Sequence, residues 1–272
     1  MNTKTLSARS MDVIDQYKNF KFGNATCSIP YYNNKNIRKR GSLRTVIGKG
    51  SPREIFEELE DISIKNHISK DLFTNDSLKK VLVDNDIGID CSAFVYYVLN
   101  AESEENQKGS IDKHLTFTNC SGIFGKLRCS LRPIENCAVI TFTDNKNSHS
   151  VSVKDVLPGD IITFTKQISS NLNAENSEEN ILDKNSRDHI LVIHQIEYQN
   201  FVPITIHYSH AISYPEDGLY GSGIREGQID IIDSSKNIME QRWIEDNKEG
   251  DLNPIFIRAK KSYTEIRRLN WF

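Results

Sequence analysis

An acid, a thiol and a hydroxyl stand side by side at Asp90-Cys91-Ser92, and an apolar pattern begins there. Cys91, Phe94, Val95, Val98 and Leu99 recur at helical spacing, which predicts a helix from Cys91 to about Ala101 with Asp90 as its N-cap. A thiol at a helix start meets backbone N–H groups that have no partner in the helix, and the positive end of the helix dipole. Both favour the nucleophilic thiolate. The same N–H groups can stabilise an oxyanion. Such a thiol also needs a histidine to move its proton and a third group to orient that histidine.

The histidines are His67, His114, His149, His189, His194, His207 and His210. His189 opens a predicted strand, His189 to Tyr198, directly after a polar stretch. A second strand runs from Ile204 to Ile212. Taking Gln199-Asn200 as the hairpin turn between them sets His189 opposite His210. His194 and His207 have the other parity and point to the opposite face. His207 competes with His210 as the third member of the site. Asp188 reads as a charged loop residue with a possible orienting role. Arg225 reads as turn-stabilising, with a substrate carboxylate as the sharper alternative.

These residues need a scaffold. Met11, Ile14, Tyr17 and Phe20 predict a short helix within Leu6 to Phe20. Ser51-Pro52-Arg53-Glu54 predicts a capped helix start, followed by the apolar face Ile55, Phe56, Leu59 and Ile62. The preceding Gly48-Lys49-Gly50 lacks the spacing of a phosphate-binding loop. Lys35, Arg38, Lys39, Arg40 and Arg44 read as a solvated basic loop. Leu157-Pro158-Gly159-Asp160 predicts a turn into a strand, Ile161 to Phe164, and Gln228 to Ile232 predicts another. Lys166 to Asn185 is a polar insertion. Trp243, Ile255, Ile257, Trp271 and Phe272 predict a tail that docks back. Helices first and antiparallel strands after give an α+β class.

The 272 residues carry a net charge of −3 and 38% apolar side chains, enough for a core and too apolar for a disordered chain. No basic field points to nucleic acid, and no membrane span is expected. The N-terminal residues lack the apolar run of a signal peptide, so the expected location is cytoplasmic, with reduced thiols, and release without a signal is the alternative. Cys120, Cys129 and Cys137 do not have zinc-ligand spacing. With Cys27 they read as inert thiols, and neither metal nor cofactor is expected.

Four segments carry a family resemblance. Asp90-Cys91-Ser92-Ala93-Phe94-Val95 resembles the nucleophile motif of the NlpC family of papain-like cell-wall cysteine peptidases. Leu157-Pro158-Gly159-Asp160-Ile161-Ile162 is similar to its Pro-Gly-Asp segment. Asp188-His189-Ile190-Leu191-Val192-Ile193 and Tyr208-Ser209-His210-Ala211 are similar to the segments carrying its second and third catalytic residues. The resemblance covers residues 84–233. It implies a papain-like fold with a nucleophile helix on an antiparallel sheet, and a hydrolase of amide bonds in peptide or peptidoglycan-fragment substrates. It implies Cys91 as nucleophile, His189 as base, His210 as orienting group, and Asp90 and Ser92 as holders of a substrate amine. It divides the chain into an extension over 1–83, a catalytic domain over 84–235 with insertions at 102–150 and 166–187, and a tail over 236–272. Two departures stand out. Ala93 replaces a glycine, and the aromatic-Gly-Gly segment upstream of the nucleophile is replaced by Leu82 to Ile89. A thiol acyltransferase or deamidase, or a papain-like module used for binding, are the alternative readings.

Overall fold

A computed structural model describes residues 2–33, 44–117, 120, 122–166 and 188–272. Most of the basic cluster, Lys35 to Arg40, and nearly all of the polar insertion lie outside the described residues. In chain order the first elements are β1 (Asn2–Thr5), α1 (Ala8–Lys18), β2 (Phe20–Phe22), β3 (Ala25–Cys27), α2 (Pro52–Lys65), α3 (Asn75–Asp84), α4 (Cys91–Glu105), α5 (Gly122–Leu131), α6 (Pro133–Asn136) and α7 (Val139–Thr143). The remainder are β4 (Ser148–Val151), β5 (Ile161–Thr165), β6 (His189–Gln199), β7 (Val202–Ile212), β8 (Gly223–Asp230), β9 (Arg242–Glu245), β10 (Lys248–Glu249), α8 (Pro254–Lys260) and β11 (Tyr263–Leu269). The fold is α+β with a mostly antiparallel sheet. No helix among the described residues is long and apolar enough to cross a membrane.

The chain forms two compact units. One is helical, Leu6–Thr141 with Ser209–Arg225. The other holds most of the sheet, Met1–Thr5, Phe142–Tyr208 and Glu226–Phe272. These boundaries differ from the expected ones. The 1–83 segment, expected as an extension packed on the core, has α1 and α2 in the same compact unit as α4. The insertion read over 102–150 holds the end of α4, three further helices and β4.

In the helical unit, α4 is buried on nearly every side, with Cys91 through Tyr96 all removed from water. A one-sided apolar stripe is therefore too narrow a description; α4 is the central core helix. The Tyr17 ring of α1 meets the Phe94 ring edge-on at 5.7 Å. Phe20, expected as the last apolar position of α1, begins β2 instead. The predicted capping box forms at α2: the Glu54 N–H donates to Ser51 Oγ, and the Ser51 N–H donates to Glu54 Oε2 at 2.8 Å.

In the sheet unit the strand order is β10-β9-β8-β7-β6-β5-β11-β4. Residues 189–192 of β6 pair with β5 and residues 195–198 pair with β1. β6 is buried along most of its length, so it shows little of the alternation that marks a half-exposed strand. The C-terminal segment is more than a docked tail. β11 lies between β5 and β4 and pairs with both. Asp160, which ends the Pro-Gly-Asp turn, is almost fully buried and receives a two-pronged pair from Arg268 of β11. Arg268 Nε donates to Oδ1 at 2.7 Å and Nη2 to Oδ2 at 2.8 Å.

The β6–β7 turn falls one position later than expected. Asn200 and Phe201, with φ of 51° and 66°, make the turn, so β6 ends at Gln199 and β7 starts at Val202. Facing positions therefore shift by two residues, and the expected pairing of His189 opposite His210 falls with that register. Phenylalanine disfavours positive φ, so nothing in the sequence marked Phe201 as a turn residue. The His194 and His207 rings lie 6.3 Å apart, and His207 Nε2 bonds Glu197 Oε1 at 3.0 Å.

Candidate active site

The start of α4 is fixed by a loop that leads into α2. Gly48 has φ 74°, and a Cβ there would lie 2.1 Å from the Tyr32 carbonyl oxygen, so only glycine fits. Its carbonyl accepts the Asp90 N–H at 2.9 Å. Lys49 bridges to Ile89. The Tyr97 hydroxyl of α4 donates to the Lys49 carbonyl, and the Tyr17 hydroxyl of α1 donates to the Gly50 carbonyl, each at 2.9 Å. The backbone of Gly48-Lys49-Gly50 is thereby held at the N-terminus of α4.

Lys49 then turns its side chain inward. Its ammonium pairs with Asp90 Oδ2 at 2.7 Å and donates to Ser92 Oγ at 2.8 Å and to the Cys137 carbonyl at 2.7 Å. An ammonium has three protons, and these are three acceptors. Asp90 Oδ1 accepts the Ala93 N–H, which is the N-cap bond, and the Ser92 hydroxyl, each at 2.8 Å. Both side chains of the Lys49–Asp90 pair are almost entirely removed from water. Such a burial is tolerable because the charges are paired and their remaining hydrogen-bonding capacity is used.

Cys91 is the first residue of α4 and is buried. Its neighbours on both sides, Asp90 and Ser92, are locked by Lys49. The expectation that Asp90 and Ser92 hold a substrate amine meets an amine supplied by the chain itself. Lys49 and the Cys137 carbonyl are the participants that sequence reasoning missed. The available signal was a lysine between two glycines just before a strong helix start, a place where backbone geometry is under tight control.

The other thiols divide differently from expectation. Cys120 and Cys129 form a disulfide, with Cα atoms 6.4 Å apart. The expectation of inert reduced thiols is corrected at this pair: an eight-residue gap looks unremarkable in sequence, but here the chain brings the two Cα atoms within disulfide reach. Cys27 and Cys137 remain thiols. Burial pushes Cys27 up to about 11 and Cys137 up to about 12; Lys79 opposes the first shift and Lys49 the second. Both stay protonated at neutral pH, which fits the inert role expected of them.

The histidines expected at the site are both fully buried. His210 lies in the part of β7 that belongs to the helical unit, as Cys91 does. His189 is the first residue of β6 in the sheet unit. It stands opposite Phe164 of β5, with ring centroids 5.8 Å apart. His207, the competitor, is engaged with Glu197 on the face it shares with His194. Asp188 is exposed, and its carbonyl accepts from Arg258. Arg225 pairs with Asp217 and sits over the Tyr214 ring, 5.0 Å from its centroid. Those contacts brace the loop before β8, in line with the turn-stabilising reading. No protein-family model, curated protein or solved structure matches this chain.

Proposed function

We propose that the chain is a cysteine hydrolase of papain-like architecture that cleaves amide bonds in peptidoglycan-type peptides, with Cys91 as nucleophile. The observation that carries this reading is the placement of Cys91. It is a thiol at the first position of a buried core helix, between two residues fixed by one buried ammonium. The four motif segments supply the remaining roles, with His189 as the base and His210 as the group that orients it.

In the proposed reaction the Cys91 proton passes to His189, and the sulfur forms a bond to the substrate carbonyl carbon. The N-terminal amides of α4 stabilise the oxyanion. The C–N bond breaks as His189 returns the proton to the leaving amine. A water molecule, giving its proton to His189, then attacks the thioester. The product leaves as a carboxylate and the thiol is restored. Lys49 fills the ammonium position beside the nucleophile, so substrate recognition through a free amino terminus is not required of Asp90 and Ser92. The Cys120–Cys129 disulfide favours an oxidising location, where wall peptides lie, over the cytoplasm expected from the sequence.

The test is digestion of purified peptidoglycan fragments by the wild type and by Cys91→Ala, read by mass spectrometry. Cleavage by the wild type alone supports the assignment. Cleavage that survives the substitution overturns it, as does failure of the wild type to release any new amine from the fragments.

A further inference from the structure

The ten-residue helix α5 carries its apolar side outward. Ile123 is 84% exposed, Phe124 86%, Leu127 55% and Leu131 70%. At about 100° per residue these four fall within an arc of about 100° on one side of the helix. The buried Cys129 lies on the opposite side and is bonded to Cys120, so the disulfide holds the back of the helix while its apolar face points to solvent.

The charges carried by α5 itself have one sign. Lys126 falls just beyond one edge of the apolar arc and Arg128 just beyond the other, and Arg132 follows the last turn; all three are exposed. Arg132 Nη1 also lies 3.3 Å from Glu135. Between Lys113 and Ile134 the sequence holds four cations, Lys113, Lys126, Arg128 and Arg132, and no Asp or Glu. An apolar arc with cations at both edges suits a boundary where hydrocarbon lies beneath a layer of anionic groups. The long basic side chains then reach outward while the apolar ones sink.

We propose that α5 docks in the plane of an anionic lipid bilayer, burying Ile123, Phe124, Leu127 and Leu131 at the level of the headgroups. The alternative of a second copy on this face is disfavoured by charge, since it would bring Lys126 and Arg128 of two chains together. A span is excluded by length, because ten helical residues cover about half of a bilayer core.

The test is flotation of the full chain with vesicles of phosphatidylcholine alone and of phosphatidylcholine with phosphatidylglycerol. The wild type is expected to float with the anionic vesicles and to be released by high salt. Phe124→Ser with Leu127→Ser should weaken partition about tenfold or more. Lys126→Glu with Arg128→Glu should weaken it by a similar factor on anionic vesicles only. A Phe124→Trp variant should show a blue-shifted emission on vesicle addition, a readout that does not depend on the disruptive variants. Wild type left behind by anionic vesicles overturns the proposal. So does partition unchanged by the serine pair, or a concentration-dependent dimer that the serine pair abolishes.

Discussion

Lys49 Nζ and Asp90 Oδ2 meet 2.7 Å apart, with only 7% and 10% of their side chains exposed, beside the thiol at the head of α4. Replacing Lys49 with Met leaves the Asp90 carboxylate buried without its cation, which should cost about 3–5 kcal/mol of stability. Pairing Lys49→Met with Asp90→Asn removes the stranded charge and should recover part of that loss. Urea unfolding of the wild type and the two variants measures both effects. Equal losses in the single and double variants would show that the carboxylate is not what Lys49 compensates.

If Cys91 is the nucleophile, thiol chemistry should separate it from the other free cysteines. Burial pushes Cys27 up to about 11 and Cys137 up to about 12, so both are protonated near neutral pH. Iodoacetamide should therefore label one position quickly, Cys91, and peptide mapping should find that label absent after Cys91→Ser. Reaction at Cys27 or Cys137 ahead of Cys91, or at Cys91 no faster than at free cysteine, argues against an activated nucleophile.

Legibility in the sequence followed the range of the interactions. The α2 cap, the start of α4 at Cys91 with Asp90 as its cap, and the start of β6 at His189 are set by residues within a few positions, and each forms as expected. Lys49 escaped because its three partners are at Asp90, Ser92 and Cys137, and only the folded chain brings them together. The hairpin register escaped because it hangs on a turn residue, Phe201, whose type argues against the φ it adopts. The place of β11 between β5 and β4 escaped for a related reason. Pairing with β5 about a hundred residues earlier leaves no local mark beyond a few apolar side chains.

Arg268 and Asp160 tie β11 to the turn before β5. Burial raises the Asp160 carboxyl above its ordinary value, and the bonds from Arg268 and from the Leu157 N–H pull it back down. Arg268→Met removes the main opposing cation, so the carboxyl in the folded variant should rise further. A group whose folded value is raised stabilises the fold below that value, and the benefit is lost as pH rises through it. The variant should therefore be about 3 kcal/mol less stable than wild type at neutral pH, with the gap narrowing as Asp160 takes up its proton in acid. Chemical denaturation at neutral and mildly acidic pH checks this; a gap that is constant or widens in acid contradicts it.

Lys79 of α3 donates to the Ser28 carbonyl at 2.6 Å and also to the Ser222 carbonyl. Burial pushes its amine down from 10.5 to about 8, opposed by electrostatic attraction to the neighbouring Cys27 and Asp217 side chains. Below about 8 the amine is protonated in both states, and the folded state bears the whole cost of burying the charge. Between 8 and 10.5 the unfolded chain binds more protons than the folded one, so this group's contribution to stability rises with pH by at most about 3 kcal/mol. Cys27 works in the opposite sense, because its raised value makes stability fall from 9 towards about 11. Subtracting the pH profile of Lys79→Met from that of wild type removes most of the Cys27 contribution. The difference in unfolding free energy should climb from pH 8 to about pH 10.5 and then level off. A flat or falling difference would mean that Lys79 is better solvated in the folded chain than its burial between Ser28 and Ser222 requires.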